Sequence, residues 1–411
     1  MIEDFSFSNF KSFKDLNSLN MTTFNSDDKL SDNFIILPTG EKVLKSKAIY
    51  GANASGKSII IKALNTFISV VKNSVKDHDA FNQIDKFRLS PQSIIESSYF
   101  QLIFRLDNMR YRYGFEVDQG VVKEEWLFLK KNKREVCVFE RESTNITHIT
   151  KKYFKEGILF NEILKKSKES SNVFRNNSLF LTTLYSFGGN LSTKIVEKIS
   201  SINILSGINT SKLNEEAKKS LDDENAKDFI LRFLKNADTG IKNIEKQKFT
   251  IENVEHEFVV SKRNRYSEEG EVIGDYPFFF DTNESEGTKK MFELSPFIYS
   301  AIKNNEVLVI DEFDAKFHPL ITQKIIELFN SKENKGAQLI FVTHDTNLLS
   351  SSLLRRDQID FVEKDKYGAS HLYSLAEIKG VRKDASFEKD YIHGKYGAIP
   401  FLGNFSKLLD I

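Results

Sequence analysis

Residues 51–58 read Gly-Ala-Asn-Ala-Ser-Gly-Lys-Ser, a complete G-x-x-x-x-G-K-[ST] loop. The text before it, SKAIY (46–50), reads as a short strand, and the text after it, IIIKALNTFISVV, as a helix. A strand entering and a helix leaving are the context in which such a loop grips phosphate. Its glycines let backbone N–H groups turn inward, and the helix aims its positive end at the same place. The cradle is read at Gly51, Asn53, Ala54, Ser55 and Gly56. Lys57 would reach the β- and γ-phosphates of a nucleotide, and Ser58 would set its hydroxyl on Mg2+. In the helix, Ile60, Ala63, Leu64, Phe67 and Val71 recur at helical spacing, so one face packs on a sheet.

On either side of this loop the chain changes character. Residues 1–25 read as two strands, IEDFSFSNF and LNSLNMTTF. Residues 99–148 alternate apolar and polar in short runs broken by Asp-Asn, Gln-Gly and Asn-Lys, the pattern of an antiparallel meander. Residues 152–245 read as helices with Ser/Asn/Gly-rich joints and no sustained heptad. Residues 246–281 return to strand-like text, and 287–304 read as a helix despite Pro296. NEVLVIDE is then a buried strand, PLITQKIIELFN a helix, AQLIFVTHD a second buried strand and DQIDFVEKD an outer one. Strand–helix–strand order of this kind implies a parallel sheet. The expected domains are 1–150, an N-terminal lobe with the loop and the meander; 151–245, an inserted helical subdomain; and 246–411, a C-terminal lobe.

Composition narrows the setting. The chain has 411 residues, 40% hydrophobic and 28% charged, which is globular text. Lys and Arg number 59 against 58 Asp and Glu, so only a local patch could favour nucleic acid. KKNKRE (130–135), KKSK (165–168) and SKRNR (261–265) are the basic pieces, and such pieces are ordinarily solvated faces. The single cysteine, Cys137, sits in the alternation EVCVF and reads as a core residue, so a reducing cytoplasm fits. The first residues lack a charged-then-apolar leader pattern, and no apolar run approaches the ~20 residues that span a bilayer.

Three further stretches are candidates for chemistry. Val307-Leu308-Val309-Ile310-Asp311-Glu312 is an apolar strand ending in two acids. Asp311 would hold Mg2+ beside Ser58, and Glu312 would polarise the attacking water as general base. Leu339 to Asp345 is a second such strand, and His344 at its end would sense the γ-phosphate. Glu284-Ser285-Glu286-Gly287-Thr288 opens a helix, where Ser285 and the N–H groups near Gly287 would grip the γ-phosphate of a second copy. Each has a plainer reading: solvated acids, a structural histidine and an ordinary N-cap.

In this order the chain resembles the ABC-type ATPase head of RecF and SMC proteins, and more closely the prokaryotic AAA15/AAA21 ATPases of abortive-infection and other phage-defence operons (AbiL/PARIS-type subunits). The resembling text is NFKSF (9–13), YGANASGKS (50–58), LKNADTGI (234–241), SEGTKKMFEL (285–294), VLVIDEFDAKFHP (307–319), FVTHD (341–345) and YIHGKYGAIPFLGNF (391–405). The resemblance implies an α/β fold: a P-loop ABC-type head with a mixed core sheet, an antiparallel β-lobe and an inserted helical lid. It implies an ATPase that uses ATP and Mg2+ and pairs head to tail, with Lys57 and Ser58 of one copy facing Ser285 and Gly287 of the other. It also implies a separately encoded effector, a TOPRIM/RloB-like or HNH nuclease, and a phage-derived trigger. His318-Pro319 replaces the aspartate that ends the D-loop, a variant that the defence-type branch shares. Two departures stand out. The signature is Ser-Glu-Gly-Thr rather than the transporter's Leu-Ser-Gly-Gly-Gln, and the Q-loop glutamine stays open among Gln83, Gln92 and Gln101. The alternative function is a RecF/SMC-like repair ATPase that binds DNA directly.

Overall fold

A computed structural model describes residues 1–24, 30–131, 134–166, 174–207, 211–251, 254–382, 385–400 and 403. Its centre is a sheet in the order β11 (Asn203–Ser206), β15 (Val307–Asp311), β16 (Gln338–Val342), β5 (Ser46–Gly51), β17 (Ile359–Lys364) and β18 (Ser370–Ser374). The first five run parallel, and β18 closes the sheet antiparallel to β17. Both faces are buried, which is why these strands read as near-continuous apolar text. Along β15, Val307 and Val309 enter one core while Leu308 and Ile310 enter the core on the opposite face.

On the first face lies helix α1 (Lys57–Asn73), and beyond it an antiparallel sheet. That sheet runs β10 (Asn145–Ile149), β9 (Arg134–Glu142), β8 (Val121–Lys131), β7 (Met109–Asp118), β6 (Ser98–Leu106), β1 (Ile2–Ser8) and β2 (Asn17–Asn20). Phe67 of α1 stacks on Phe115 at 5.6 Å and meets Phe5 edge-on at 5.8 Å, so the helix fills the gap between the sheets. The buried amide of Gln338 ties the two sheets together. Its oxygen accepts from the Ile2 N–H at 2.6 Å, and its nitrogen donates to the carbonyls of Ile2 and Leu44 at 2.9 and 3.0 Å.

The second face is covered by α9 (Glu286–Asn304) and α10 (Pro319–Asn330). Tyr391 of α11 (Phe387–Ile392) packs on Phe361 at 5.2 Å. Ser285 caps α9, its hydroxyl accepting from the Thr288 N–H, and Asn305 ends it with a left-handed φ of 55°. Before α9 stands a small antiparallel sheet of β12 (Asn243–Ile251), β13 (Val254–Tyr266) and β14 (Val272–Phe279). The fold is the α/β class that the sequence implies, with a mixed core sheet and an antiparallel lobe.

Three expectations are corrected. The segment 152–245 contains a core strand, β11, as well as helices. It has only four residues, too few to show a period, and its pairing with β15 decides its conformation. β17 is not an outer strand, because β18 pairs along its free edge. Cys137 is half-buried rather than in the core. A bulge shifts the β8–β9 register, so Leu127 faces Phe139 but Phe128 faces Cys137, and Val138 and Phe139 take the buried places. The tail text at 391–405 is described to Pro400 and at Gly403; its other residues lie outside the described ones.

A buried ion pair crosses the core between β5 and β17. Lys47 Nζ lies 2.8 Å from Asp360 and donates to the Asp357 carbonyl at 2.9 Å. Burial, acting against Lys47, raises the Asp360 carboxyl to about 6. Removing one member leaves the other charged in a dry interior. Lys47→Met should therefore lower unfolding free energy by about 3–5 kcal/mol, and Lys47→Met with Asp360→Leu should recover most of it. Urea titration measures both; a single variant as stable as the wild type would contradict the pair's role.

Candidate functional site

Strand β5 delivers the chain into the 51–56 loop, and α1 leaves it at Lys57. Two positions there demand glycine. A Cβ on Gly51 (φ 155°) would lie 2.4 Å from the Val362 carbonyl, and one on Gly56 (φ 118°) would lie 2.7 Å from Ser370 Oγ. Ala54 also takes a left-handed φ, 60°. The loop is thus pressed against β17 and β18, with Asn53 and Ala54 left exposed and Ser55 and Gly56 buried. Ser12, from the NFKSF stretch, hydrogen-bonds Ser370 at 2.7 Å behind it.

Lys57 Nζ donates to the carbonyls of Gly51 and Ala52 at 2.8 and 2.9 Å, so the loop curls around its own ammonium. Burial lowers this amine to about 8, while Asp311, Asp314 and Glu312 pull the other way. Ser58 Oγ donates to Asp311 Oδ1 at 3.1 Å, joining residues 253 apart in sequence. That contact exists because β15 and β5 run parallel on either side of β16 and end at the same edge.

After Asp311 the chain turns sharply. Glu312 has a φ of 55° and Lys316 one of 66°. The Phe313 N–H donates to Val342 at 2.9 Å, and Asp314 accepts from the His344 N–H at 3.3 Å. The Asp311 carbonyl accepts from Gly207 at 2.7 Å, and a Cβ on Gly207 would lie 2.0 Å from the Glu312 carbonyl. The His344 ring is exposed, and its pKa is lowered first by desolvation and then by the Lys57 charge, against Asp314 and Asp311. The shift favours the neutral ring, which offers one donor and one acceptor.

The structure brings together Lys57, Ser58, Asp311, Glu312 and His344 in one electrostatic neighbourhood. Ser285 stands apart at the start of α9, exposed, bonded to the Thr288 N–H and hydroxyl at 3.1 and 2.9 Å. A Cβ on Gly287 would lie 3.1 Å from the Lys316 carbonyl. His318 caps α10, accepting from Leu320 at 3.3 Å. None of the three glutamines hydrogen-bonds to Lys57, Ser58 or Asp311 among the described residues. Gln101 accepts from Trp126 and Arg112 at 3.1 and 3.2 Å, Gln83 donates to Ser69 and Ala80, and Gln92 donates to Glu96. The basic pieces are partly paired within the chain: Lys130 with Glu41, Lys262 with Glu245 and Arg263 with Glu284. Residues 132–133 and 167–168 of those pieces lie outside the described residues.

Sequence reading missed Asp314, Gly207, Ser370 and Lys290 at this site. Asp314 alone carried a signal, a third acid in the stretch VLVIDEFDAKFHP. The oxygen set fits a hard cation. Among the described residues no cluster of three or more His, Cys, Asp or Glu forms a cage. Mg2+ is suited to one hydroxyl, one carboxylate and the oxygens of a nucleotide rather than to an all-protein cage. No helix is long and apolar enough to cross a membrane among the described residues.

A family model described as "AAA domain, putative AbiEii toxin, Type IV TA system" matches residues 48–350. The chain belongs to that family, and it is a P-loop ATPase of the AAA21 group. No curated protein matches it. Among solved structures it is similar to the SMC head domain from Thermotoga maritima, at 13% identity and a TM-score of 0.41, covering 91% of this chain and 98% of that one. It is also similar to an Smc head bound to the C-winged helix domain of ScpA, at 16% and 0.45, covering 92% and 99%. A third is an Smc head with an extended coiled coil bound to the C-terminal domain of ScpA derived from Pyrococcus furiosus, at 14% and 0.39, covering 91% and 96%.

Lys57→Ala should abolish nucleotide binding in a calorimetric titration with Mg·ATP. Retained micromolar affinity would contradict the loop assignment.

Proposed function

We propose that the protein is the ATP-binding and hydrolysing subunit of an anti-phage, abortive-infection-like system. In this reading two copies close on ATP, and the paired state controls a separately encoded toxin or nuclease of TOPRIM/RloB-like or HNH type. A phage-derived trigger would shift the pairing. The observation that carries the ATPase part is the 3.1 Å contact of Ser58 with Asp311 beside the buried Lys57. The family description, with its toxin and type IV toxin–antitoxin terms, supports the defence part. We place the protein in the cytoplasm, where ATP is available.

The residues divide the work as follows. Lys57 and the backbone of 51–56 would hold the β- and γ-phosphates. Ser58 and Asp311 would hold Mg2+, whose chemistry when bound is to neutralise charge on the phosphate oxygens. Glu312 would take a proton from the attacking water, and His344 would donate to or accept from the terminal phosphate's surroundings. Ser285 and Gly287 would complete the site of a second copy. Exposure of Ser285 on the outer start of α9 is compatible with that role.

Glu312→Gln should bind ATP normally while turnover falls by about 100-fold or more. Phosphate release under steady state measures this, and normal turnover would move the base elsewhere. Ser285→Arg should leave the ATP affinity of the single chain intact and block ATP-driven pairing. Pairing unchanged by light scattering would show that Ser285 is a helix cap and nothing more.

A further inference from the structure

Lys290 lies on the second turn of α9, 4% exposed. A lysine there reads as solvated helix surface, yet its ammonium is directed into the protein. Nζ donates to the Ala315 carbonyl, lies 3.4 Å from the Phe313 carbonyl and sits 4.5 Å over the Phe317 ring. Phe313, Ala315 and Phe317 alternate along the loop between β15 and α10, the loop that carries Glu312 and Asp314. A second tie runs alongside, from Lys316 to Glu286 at 2.9 Å. Two left-handed residues, Glu312 and Lys316, fall within this loop. Conformations of that kind persist where surrounding contacts hold them.

We propose that Lys290 is a positioning residue: its ammonium clamps the 312–318 loop onto the start of α9 and thereby fixes Glu312 beside Asp311. The proposal rests on the reading of Glu312 as the base. Charge is essential to the clamp, because an apolar side chain of the same length would cover Phe317 but donate nothing to the two carbonyls. Burial and Lys316 lower the amine to about 8, opposed by Asp314, Glu312 and Glu293, so it carries its proton at neutral pH. The clamp also has a consequence for assembly. Ser285 and Gly287 stand on the same end of α9, so a partner seated there would act on Glu312 through Lys290. Pairing and hydrolysis would then be linked by one side chain.

The test compares Lys290→Met, Lys290→Arg and wild type for ATP affinity, kcat and melting temperature. Lys290→Met should keep its affinity within about threefold while kcat falls by ~10-fold or more, since small misplacement of a reacting group has effects of that size. Lys290→Arg, which keeps charge and donors, should recover part of kcat. Wild-type kcat in Lys290→Met would overturn the clamp, as would an affinity loss that accounts for the whole rate change. Should Lys290→Met not fold, Lys290→Gln carries the same readouts with a neutral donor. Adding Lys290→Met to Glu312→Gln separates the two claims. If Lys290 acts through Glu312, the double variant turns over no slower than Glu312→Gln alone. An additive loss would overturn the positioning role. Normal turnover in Glu312→Gln alone would instead remove the base assignment, on which the proposal depends.

Discussion

Everything at the site depends on Ser58 reaching Asp311. The two residues lie 253 apart in sequence, and nothing local draws them together. What does is the parallel pairing of β15, β16 and β5, in which Ile310 pairs with Phe341 and Val342 with Ile49. Because side chains alternate faces, a slip of one residue would turn Asp311 away and drive Leu308 and Ile310 into the core that is packed around Val307 and Val309. The two-faced burial of these strands excludes that slip. Hydrophobic burial, non-directional in itself, thus sets the polar contact between Ser58 and Asp311.

The loop after β15 converts that register into a site. It is held from several directions: by Gly207 from β11, by Val342 and His344 from the β16 side, and by Lys290 and Glu286 from α9. All but the Lys316–Glu286 ion pair fall on backbone or on a short acid, so the loop is tied at its main chain. Lys57 lies in the field of the same acids, which links the phosphate loop to the loop carrying Glu312. Residues that would serve catalysis therefore share one rigid neighbourhood, while Ser285 looks outward from its edge.

Much of this was legible in the amino-acid text. The 51–58 loop, the acidic strand and the FVTHD strand each combine an unmistakable apolar run with a chemically distinct end, and β5, β15 and β16 are those runs. The meander was legible too, since its Asp-Asn and Gln-Gly breaks fall at the turns between β6, β7 and β8, while the Asn-Lys break lies outside the described residues. What escaped had no pattern to show. β11 is too short for a period and follows a helix without a break. Gly207 matters only because a carbonyl from another strand passes where its Cβ would be. Lys290 sits in Lys289-Lys290, the spelling of a wet helix face, and its partners are backbone carbonyls, which no sequence displays.

If Ser58 and Asp311 hold Mg2+ beside the phosphates of ATP, loss of the carboxylate should remove the metal's effect on binding. The most direct measurement is ATP affinity with and without Mg2+, in the wild type and in Asp311→Asn. Mg2+ should tighten wild-type binding by at least about tenfold, equivalent to ~1.4 kcal/mol, and leave Asp311→Asn nearly unmoved. Equal tightening in both proteins would contradict it and place the metal elsewhere.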